Sequence, residues 1–231
     1  MTFWSRRLRL TGTLHLPETP EPPVVIGSHG LFGTSASAKQ VALANACVAA
    51  GIGYFRFDHR GCGLSQGVFE EVTTLKGRVY DIIAATEMIT GRTDTSDVYG
   101  FFGSSLGGAA CISAAGLTGP AAMVLCAAPI RSANIDPAGA IPDDIDAGNI
   151  PLRPPALHFD IADKISNLHD VLLFHGDADE VVPCENAGEI FTAASEPKKL
   201  FTLPGGDHRM TDVSHQKLFV EETVAWFSAR L

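Results

Sequence analysis

Short apolar runs alternate with segments of helical spacing along most of this chain. In chain order, the apolar runs are VVIGSHG, GYFRFD, VYGFF, MVLCA, VLLFHG and KLFTL. A strand that is buried on both faces has a continuous apolar run of this kind, and helices between strands make the crossovers that parallel pairing requires. The alternation predicts an α/β fold with a doubly wound, mostly parallel sheet of about eight strands and helices on both faces.

The helical segments and an N-terminal pair of strands complete this pattern. The predicted helices are Lys39–Ala50, Leu75–Thr90, Ser105–Gly116, Glu185–Ala194 and a last helix that ends at Arg230. The stretch RLRLTGTLHLP alternates apolar and polar residues, which predicts two short strands around Thr11 and Gly12. Because MTFWSRRLRLTGTLHLP lacks the uninterrupted apolar segment of an export signal, we interpret it as strand.

A length of 231 residues is typical of one domain with one core. We therefore interpret residues 1–231 as a single domain. The alternation lapses over residues 130–169, which are rich in proline and aspartate. We interpret this insertion as a short cap over a pocket, and a long surface connection is the alternative.

Charge, hydropathy and cysteine content restrict the setting and the partners. The formal net charge is -9, whereas a nucleic-acid partner requires a clustered basic surface, so none is expected. No apolar run approaches the ~18 residues of a membrane span, so no membrane partner is expected. The five cysteines lack CxxC spacing, which favours a reduced, cytoplasmic setting and argues against a zinc site. Whether the chain forms a homodimer stays open.

The motif GSSLGG follows the run VYGFF directly and precedes a helical segment. A G-x-S-x-G sequence between a strand and a helix is typical of a tight turn that raises a serine nucleophile. Side chains at the two glycine positions would collide with the strand and the helix, and Ser105 is the serine flanked in this way by Gly103 and Gly107. Ser105 is therefore the predicted nucleophile, and an ordinary helix N-cap is the alternative.

A serine hydroxyl needs a base to take its proton and a carboxylate to orient that base. Two later loops supply both, because HGDADEVVP contains Asp177 and Asp179 and PGGDHRM contains His208. Both loops follow apolar runs, and sites in parallel sheets lie at the carboxyl ends of the strands. We interpret Asp179 as the acid and His208 as the base. Asp177 is the alternative acid, and His215 in the C-terminal helix is the alternative base.

Attack on a carbonyl group places negative charge on its oxygen, which backbone N–H groups stabilise. The predicted donors are the N–H of Leu106, next after the nucleophile, and the N–H of Leu31 in the loop HGLFG. The stretch DHRGCGLS ends another strand. We interpret Asp58 and Arg60 as structural hydrogen-bonding residues, and a catalytic His59 is the alternative.

Taken in order, HGLFG, FDHRGCGLSQG, GSSLGG, HGDADEVVP and GGDHR resemble the successive motifs of the α/β-hydrolase superfamily over nearly the whole chain. The short N-terminal strands, the HGLFG loop and the modest insertion are similar to those of small bacterial carboxylesterases, which include cinnamoyl and feruloyl esterases. The resemblance implies Ser105 as nucleophile, Asp179 as acid and His208 as base, with Leu31 and Leu106 as oxyanion donors.

The residues and the resemblance together predict a serine hydrolase that cleaves a small or medium carboxylic ester, a small-molecule substrate, through an acyl-enzyme. This chemistry requires no metal and no cofactor. The alternatives are a serine peptidase or acyl-thioesterase with the same residues, and a non-catalytic binding domain. The candidates for an apolar acyl pocket are Phe32, Ile130, Ile141, Ile145 and Phe159.

Overall fold

A single mixed sheet forms the centre of the protein, for which the computed structural model describes residues 1–135 and 157–231. Within those residues the strands are β1 Thr2–Ser5, β2 Leu8–His15, β3 Val24–Ser28, β4 Gly53–Phe57, β5 Tyr99–Ser104, β6 Ala122–Cys126, β7 Val171–Gly176 and β8 Lys198–Leu203. Their order is β1-β2-β4-β3-β5-β6-β7-β8. Strands β3 to β8 run parallel, and β2 pairs antiparallel with both β1 and β4. The predicted fold class is confirmed.

The helices cover both faces of this sheet. In the described residues they are α1 Ala38–Ala49, α2 Phe69–Val72, α3 Leu75–Thr90, α4 Leu106–Thr118, α5 Glu185–Ala193 and α6 Val213–Ser228. Val24 and Ile26 face the core beneath α3 and α4, whereas Val25 faces the core beneath α1 and α6. Alternate side chains of one buried strand thus serve two cores. None of these helices has both the length and the apolar character to cross a bilayer.

The N-terminal hairpin differs from the sequence prediction in its turn. The chain reverses at Arg6 and Arg7, and Gly12 lies within β2. A Cβ atom at position 12 would lie 2.6 Å from the ring of Phe55 and 2.8 Å from Cβ of Phe57 on β4. Glycine is therefore required here by the close approach of two aromatic side chains, whereas the sequence pattern had indicated a turn.

The described ends of the insertion are joined to each other. Arg131 forms a β-bridge with Asp160, and the N–H of Ile161 donates to the carbonyl of Ile130 at 3.0 Å. The guanidinium of Arg131 also binds both carboxylate oxygens of Glu189 on α5. The insertion thus leaves and rejoins the fold at one place, while most of the predicted cap, including Ile141 and Ile145, lies outside the described residues.

All five cysteines are free thiols. Four of them are buried, and Cys184 is half-buried. Burial raises the pKa of Cys47 to about 12, so this thiol stays protonated and unreactive.

A buried polar network links the ends of β3 and β4 to α3. Nε2 of His59 lies 2.8 Å from Oγ of Ser28, and Nδ1 of His59 lies 3.2 Å from Oδ2 of Asp81. Arg60 donates to the same carboxylate at 2.7 Å and 3.0 Å. Burial, together with the nearby charge of Arg78, lowers the pKa of His59 to about 4 despite the neighbouring Asp81. Burial would raise the pKa of Asp81, but hydrogen bonds from His59 and Arg60 lower it to about 2.

We expect the free energy of unfolding to decrease as the pH falls from 7 to 5. In the unfolded chain His59 binds a proton near pH 6.5, whereas in the folded protein it stays neutral down to about pH 4. The unfolded state therefore binds more protons in this window, which costs about 2 kcal/mol of stability at pH 5 for this side chain. Urea titrations at both pH values measure the loss.

The variant His59→Gln isolates this contribution, and His169→Gln at an exposed histidine is the control. The pH-dependent loss should shrink by about 2 kcal/mol in the first variant and stay unchanged in the second. Equal losses in wild type and His59→Gln would contradict the assignment.

Candidate active site

Three side chains from distant parts of the sequence meet at the carboxyl edge of the sheet. Ser105 follows β5, Asp179 lies in the loop after β7, and His208 lies in the loop after β8. Nε2 of His208 is 3.1 Å from Oγ of Ser105, and Nδ1 of His208 is 3.0 Å and 2.9 Å from the two carboxylate oxygens of Asp179. The structure thus forms one continuous hydrogen-bonded chain from hydroxyl to imidazole to carboxylate.

Ser105 lies on a strained turn. Its φ is 52° and its ψ is -126°, a conformation that costs a non-glycine residue on the order of 1–3 kcal/mol. A Cβ on Gly103 would lie 2.6 Å from Cα of Gly108, and a Cβ on Gly107 would lie 2.6 Å from the carbonyl oxygen of His29 and closer still to that of Ser28. The glycines of the motif therefore allow α4 to pack directly on the backbone at the end of β3.

Asp179, and not Asp177, is the carboxylate that contacts His208. The side chain of Asp179 is fully buried, and it also accepts hydrogen bonds from the N–H groups of Val181 and Val182 at 2.9 Å and 2.8 Å. The exposed Asp177 instead accepts a hydrogen bond from the N–H of Gly205. The alternative acid therefore holds the neighbouring loop.

The structure also places His175, at the end of β7, against Asp179. Nε2 of His175 lies 3.1 Å from Oδ2 of Asp179 and 2.8 Å from the carbonyl oxygen of Val182. Burial would raise the pKa of Asp179, but hydrogen bonds from His175 and His208, together with that of Val182, hold it well below its usual range. The carboxylate therefore stays ionised, and His175 is a contact that sequence analysis missed.

The alternative histidines lie elsewhere. His59 is fully buried in the network with Ser28 and Asp81, so a substrate cannot reach it. Ser28, His59 and Asp81 are thus a second set of serine, histidine and aspartate in contact, but all three are buried away from solvent. His215 lies in the first turn of α6, where its N–H donates to Asp212.

The loop after β3 lies against Ser105. A Cβ on Gly30 would lie 3.4 Å from Cβ of Ser105 and 4.0 Å from its Oγ. Within the described residues, neither the N–H of Leu31 nor that of Leu106 donates to a protein acceptor. The two amides predicted as oxyanion donors thus have no acceptor in the described part of the chain and adjoin Ser105.

His29 holds the same loop through a defined tautomer. Its Nε2 accepts a hydrogen bond from the N–H of His59 at 3.0 Å, so Nδ1 carries the proton and donates to the carbonyl of Gly30 at 2.8 Å. Burial, with the nearby charge of Arg78, lowers the pKa of His29 well below its usual value. The ring is therefore neutral, as this hydrogen-bond pattern requires.

An open cavity of about 310 Å³ contains Ser105 and His208. Its other lining residues are Gly30, Leu31, Phe32, Gly33, Ser37, Ala38, Lys39, Ser104 and Arg209. A second cavity of about 240 Å³ shares Leu31, Phe32 and Gly33 with the first and adds apolar groups such as Phe69. The loop after β3 is therefore the common wall of the two cavities.

The candidate acyl-pocket residues separate into three groups. Phe32 lines both cavities. Ile130 is fully buried in the core, and Phe159 packs against that core. Neither is among the described residues that line the cavity at Ser105, and their role in an acyl pocket stays a prediction. Ile141 and Ile145 lie outside the described residues.

The strand order and the tight turn after β5 are those of the α/β-hydrolase fold. A family model described as serine aminopeptidase, S33, matches residues 20–142. An uncharacterized protein of Mycobacterium tuberculosis is 31% identical over 189 residues, which cover 80% of this chain and 63% of that protein. The chain therefore belongs to this serine aminopeptidase family of α/β-hydrolases.

The chain is also similar to a curated protein of Escherichia coli. The uncharacterized protein YfhR of Escherichia coli K12 is 28% identical over 165 residues, which cover 67% of this chain and 52% of that protein. The chain thus spans less than two thirds of the length of these curated relatives.

Solved structures with this fold include one from Butyrivibrio proteoclasticus and one from Pyrococcus furiosus. Est1E of Butyrivibrio proteoclasticus, with ferulic acid bound, has a TM-score of 0.81 and 25% identity, and the match covers 100% of this chain and 98% of that one. An esterase of Pyrococcus furiosus has a TM-score of 0.83 at 15% identity and 100% and 89% coverage, which shows the fold alone. The likeness to bacterial esterases is confirmed.

We expect Gly107→Ala to destabilise the protein by about 1–3 kcal/mol, because the added methyl group meets backbone carbonyls that cannot move freely. Gly116→Ala is the matched control on the same helix, since a Cβ there meets nothing within 4 Å. Alanine in that exposed helical position should stabilise by about 0.5–1 kcal/mol. Denaturant titration of both variants tests the packing, and equal stabilities would contradict it.

Proposed function

We propose that the protein is a serine hydrolase that cleaves a small or medium carboxylic ester through an acyl-enzyme intermediate. The observation that supports this proposal most is the hydrogen-bonded chain from Ser105 through His208 to Asp179. Beside it lie the amides of Leu31 and Leu106, for which residues 1–135 and 157–231 provide no acceptor. These are the groups that acyl transfer needs: a nucleophile, an oriented base and donors for the oxyanion.

In the first half of the reaction, Oγ of Ser105 attacks the ester carbonyl carbon while Nε2 of His208 takes the hydroxyl proton. The buried Asp179 stabilises the imidazolium and keeps Nδ1 facing it. The carbonyl oxygen becomes an oxyanion between the two amides, each worth on the order of 3 kcal/mol in the transition state. The C–O bond to the alcohol breaks, and His208 returns its proton to the leaving oxygen.

In the second half, water replaces the alcohol. His208 takes a proton from the water, whose oxygen attacks the acyl carbon of the ester now linked to Ser105. The second tetrahedral intermediate uses the same two amides, and its collapse returns the proton from His208 to Oγ of Ser105. The products are an alcohol and a carboxylic acid, and the enzyme is regenerated.

A carboxylic ester is the favoured substrate for two reasons. Est1E, with which this chain shares 25% identity over its whole length, has a solved structure with ferulic acid, a carboxylic acid, bound. The cavity at Ser105 also has the cations Lys39 and Arg209 in its wall. Positive charge at this place suits a reaction that develops an oxyanion and releases a carboxylate.

The second candidate function is an aminopeptidase, which the name of the matching family favours. An aminopeptidase has to hold the free α-ammonium group of its substrate, for which a carboxylate is the suitable partner. Among the described residues that line the cavity at Ser105, none is Asp or Glu, and two are cations. For this reason we rank a peptide amide below a carboxylic ester as the substrate.

We expect a fluorophosphonate probe to label wild type and to leave Ser105→Ala unlabelled. The same variant should lose at least about 10³-fold in kcat on p-nitrophenyl acetate and butyrate, because the nucleophile is gone. Parallel assays use an aminoacyl p-nitroanilide and an acyl-thioester. Labelling that persists in Ser105→Ala would overturn the assignment of the nucleophile, and a higher kcat/KM on the anilide would establish the aminopeptidase.

The two neighbouring aspartates provide a matched pair for the acid. Asp179→Asn should lower kcat on p-nitrophenyl butyrate by about 10³- to 10⁴-fold, since an amide neither stabilises the imidazolium nor enforces the tautomer. Asp177→Asn should stay within about threefold of wild type, because its carboxylate only holds the N–H of Gly205. The reverse ranking would assign the role to Asp177.

A further inference from the structure

Arg78 is a fully buried arginine on α3 that points at the loop after β3. It has 0% exposure and is among the largest fully buried side chains of the described residues. Its Nη1 donates to the carbonyl oxygen of His29 at 2.7 Å and to that of Gly30 at 3.2 Å, and its Nη2 donates to that of Leu31 at 3.0 Å. One guanidinium therefore binds three consecutive backbone carbonyls.

These three carbonyls surround one amide. The carbonyl of Gly30 belongs to the same peptide group as the N–H of Leu31, and the carbonyls of His29 and Leu31 belong to the peptide groups before and after it. Three hydrogen bonds from one rigid, planar cation restrain the orientation of all three peptide groups. The N–H of Leu31, which has no acceptor among the described residues, is thereby held at the cavity of Ser105.

The same contacts also polarise the peptide. The carbonyl of Gly30 accepts from Arg78, from Nδ1 of the neutral His29 at 2.8 Å and from the N–H of Gly33 at 3.2 Å. A positive group on the oxygen of an amide draws electrons from its nitrogen and strengthens the N–H as a donor, because hydrogen bonds in a chain polarise one another. Donors on the carbonyl of Gly30 therefore act on the N–H of Leu31.

The two arginines next to this network have different partners. Arg60 binds the carboxylate of Asp81 with two of its nitrogens. Arg78 makes no such direct ion pair within the described residues. Its hydrogen-bonding capacity is directed at loop carbonyls instead, with a long contact to Sγ of Cys62.

We propose that Arg78 is a positioning residue that orients and polarises the Leu31 amide as an oxyanion donor. This inference rests on the proposed function, because it specifies how one half of the oxyanion site is held. Arg78 touches no substrate and acts only through the loop carbonyls. Its removal should weaken stabilisation of the transition state more than binding of the ester.

The test uses Arg78→Met, Arg78→Lys and the control Arg56→Met. Arg56 also donates to a carbonyl of this loop, that of Ser35 at 3.0 Å, but it does not touch the peptide groups around Leu31. The concentration of active sites is measured by titration to completion with a fluorophosphonate. Activity on p-nitrophenyl butyrate is then divided by that concentration, which excludes unfolded protein.

We expect kcat per titrated site to fall about 10- to 100-fold in Arg78→Met, with KM within about twofold of wild type, since removing an oxyanion donor altogether costs about 10²- to 10³-fold. Arg78→Lys keeps the positive charge but has one nitrogen in place of the guanidinium group. Its kcat should therefore lie between those of wild type and Arg78→Met. Arg56→Met should keep the wild-type kcat. If Arg78→Met does not fold, the test rests on Arg78→Lys, for which a lower kcat per titrated site with KM within about twofold of wild type is expected.

A second measurement does not depend on activity. In protein labelled with ¹⁵N-leucine, the amide proton resonance of Leu31, assigned with Leu31→Met, should move upfield in both Arg78 variants and stay in place in Arg56→Met. A wild-type kcat per titrated site in both Arg78 variants, or an unmoved Leu31 resonance, would overturn the proposal. A wild type that neither labels nor hydrolyses would remove the proposed function, while the Leu31 resonance would still decide whether Arg78 holds the amide.

Discussion

The direct contact between the first turn of α4 and the backbone at the end of β3 determines the rest of the site. Gly107 brings the helix so close that any side chain there would meet the carbonyls of Ser28 and His29. At this contact the chain reverses at Ser105 with a positive φ, and the loop after β3 lies against Ser105. The strain at one residue is offset by packing over many, since most residues of α4 are buried. The positions of Ser105 and of the amides of Leu31 and Leu106 thus depend on one contact between helix and strand.

Beneath the loops of the site lies a layer of buried polar groups. Ser28, His59 and Asp81 form one hydrogen-bonded chain, and His29 connects it to the loop at Gly30. Buried polar groups are costly unless they are satisfied, but when satisfied they restrict the backbone to one geometry. An apolar core could not orient peptide groups in this way, because it offers them no donors. His29 serves this role only while it is neutral, because its Nε2 has to accept the N–H of His59, and burial lowers the pKa of His29 well below its usual value.

The sequence predicted the parts of this site that depend on position along strands. Ser105, Asp179 and His208 each follow an apolar run, and the carboxyl ends of parallel strands meet at one edge, so their proximity followed from topology. The roles of Arg78 and His175 could not be predicted in this way, because each depends on which atoms lie opposite it across the core. A signal for Arg78 was nevertheless present: it lies three residues after Leu75 and four before Ile82, on the apolar stripe of α3, where a charged residue requires a buried partner. Gly12 was misinterpreted for a similar reason, since a glycine required by the rings of β4 looks like a turn glycine in sequence.

The charge of the cavity at Ser105 differs in sign from the net charge of the whole chain. The chain carries a formal charge of -9, yet the described wall of the cavity at Ser105 contains Lys39 and Arg209 and no carboxylate. Asp179 contributes its negative charge from a fully buried position behind His208, where it acts on the imidazole and is kept from the substrate. An acyl-transfer reaction creates negative charge in front of the serine and positive charge on the histidine. Lys39 and Arg209 in the described cavity wall and the buried carboxylate behind His208 therefore suit the charges of the proposed acyl transfer, whereas the overall charge of the molecule does not indicate them.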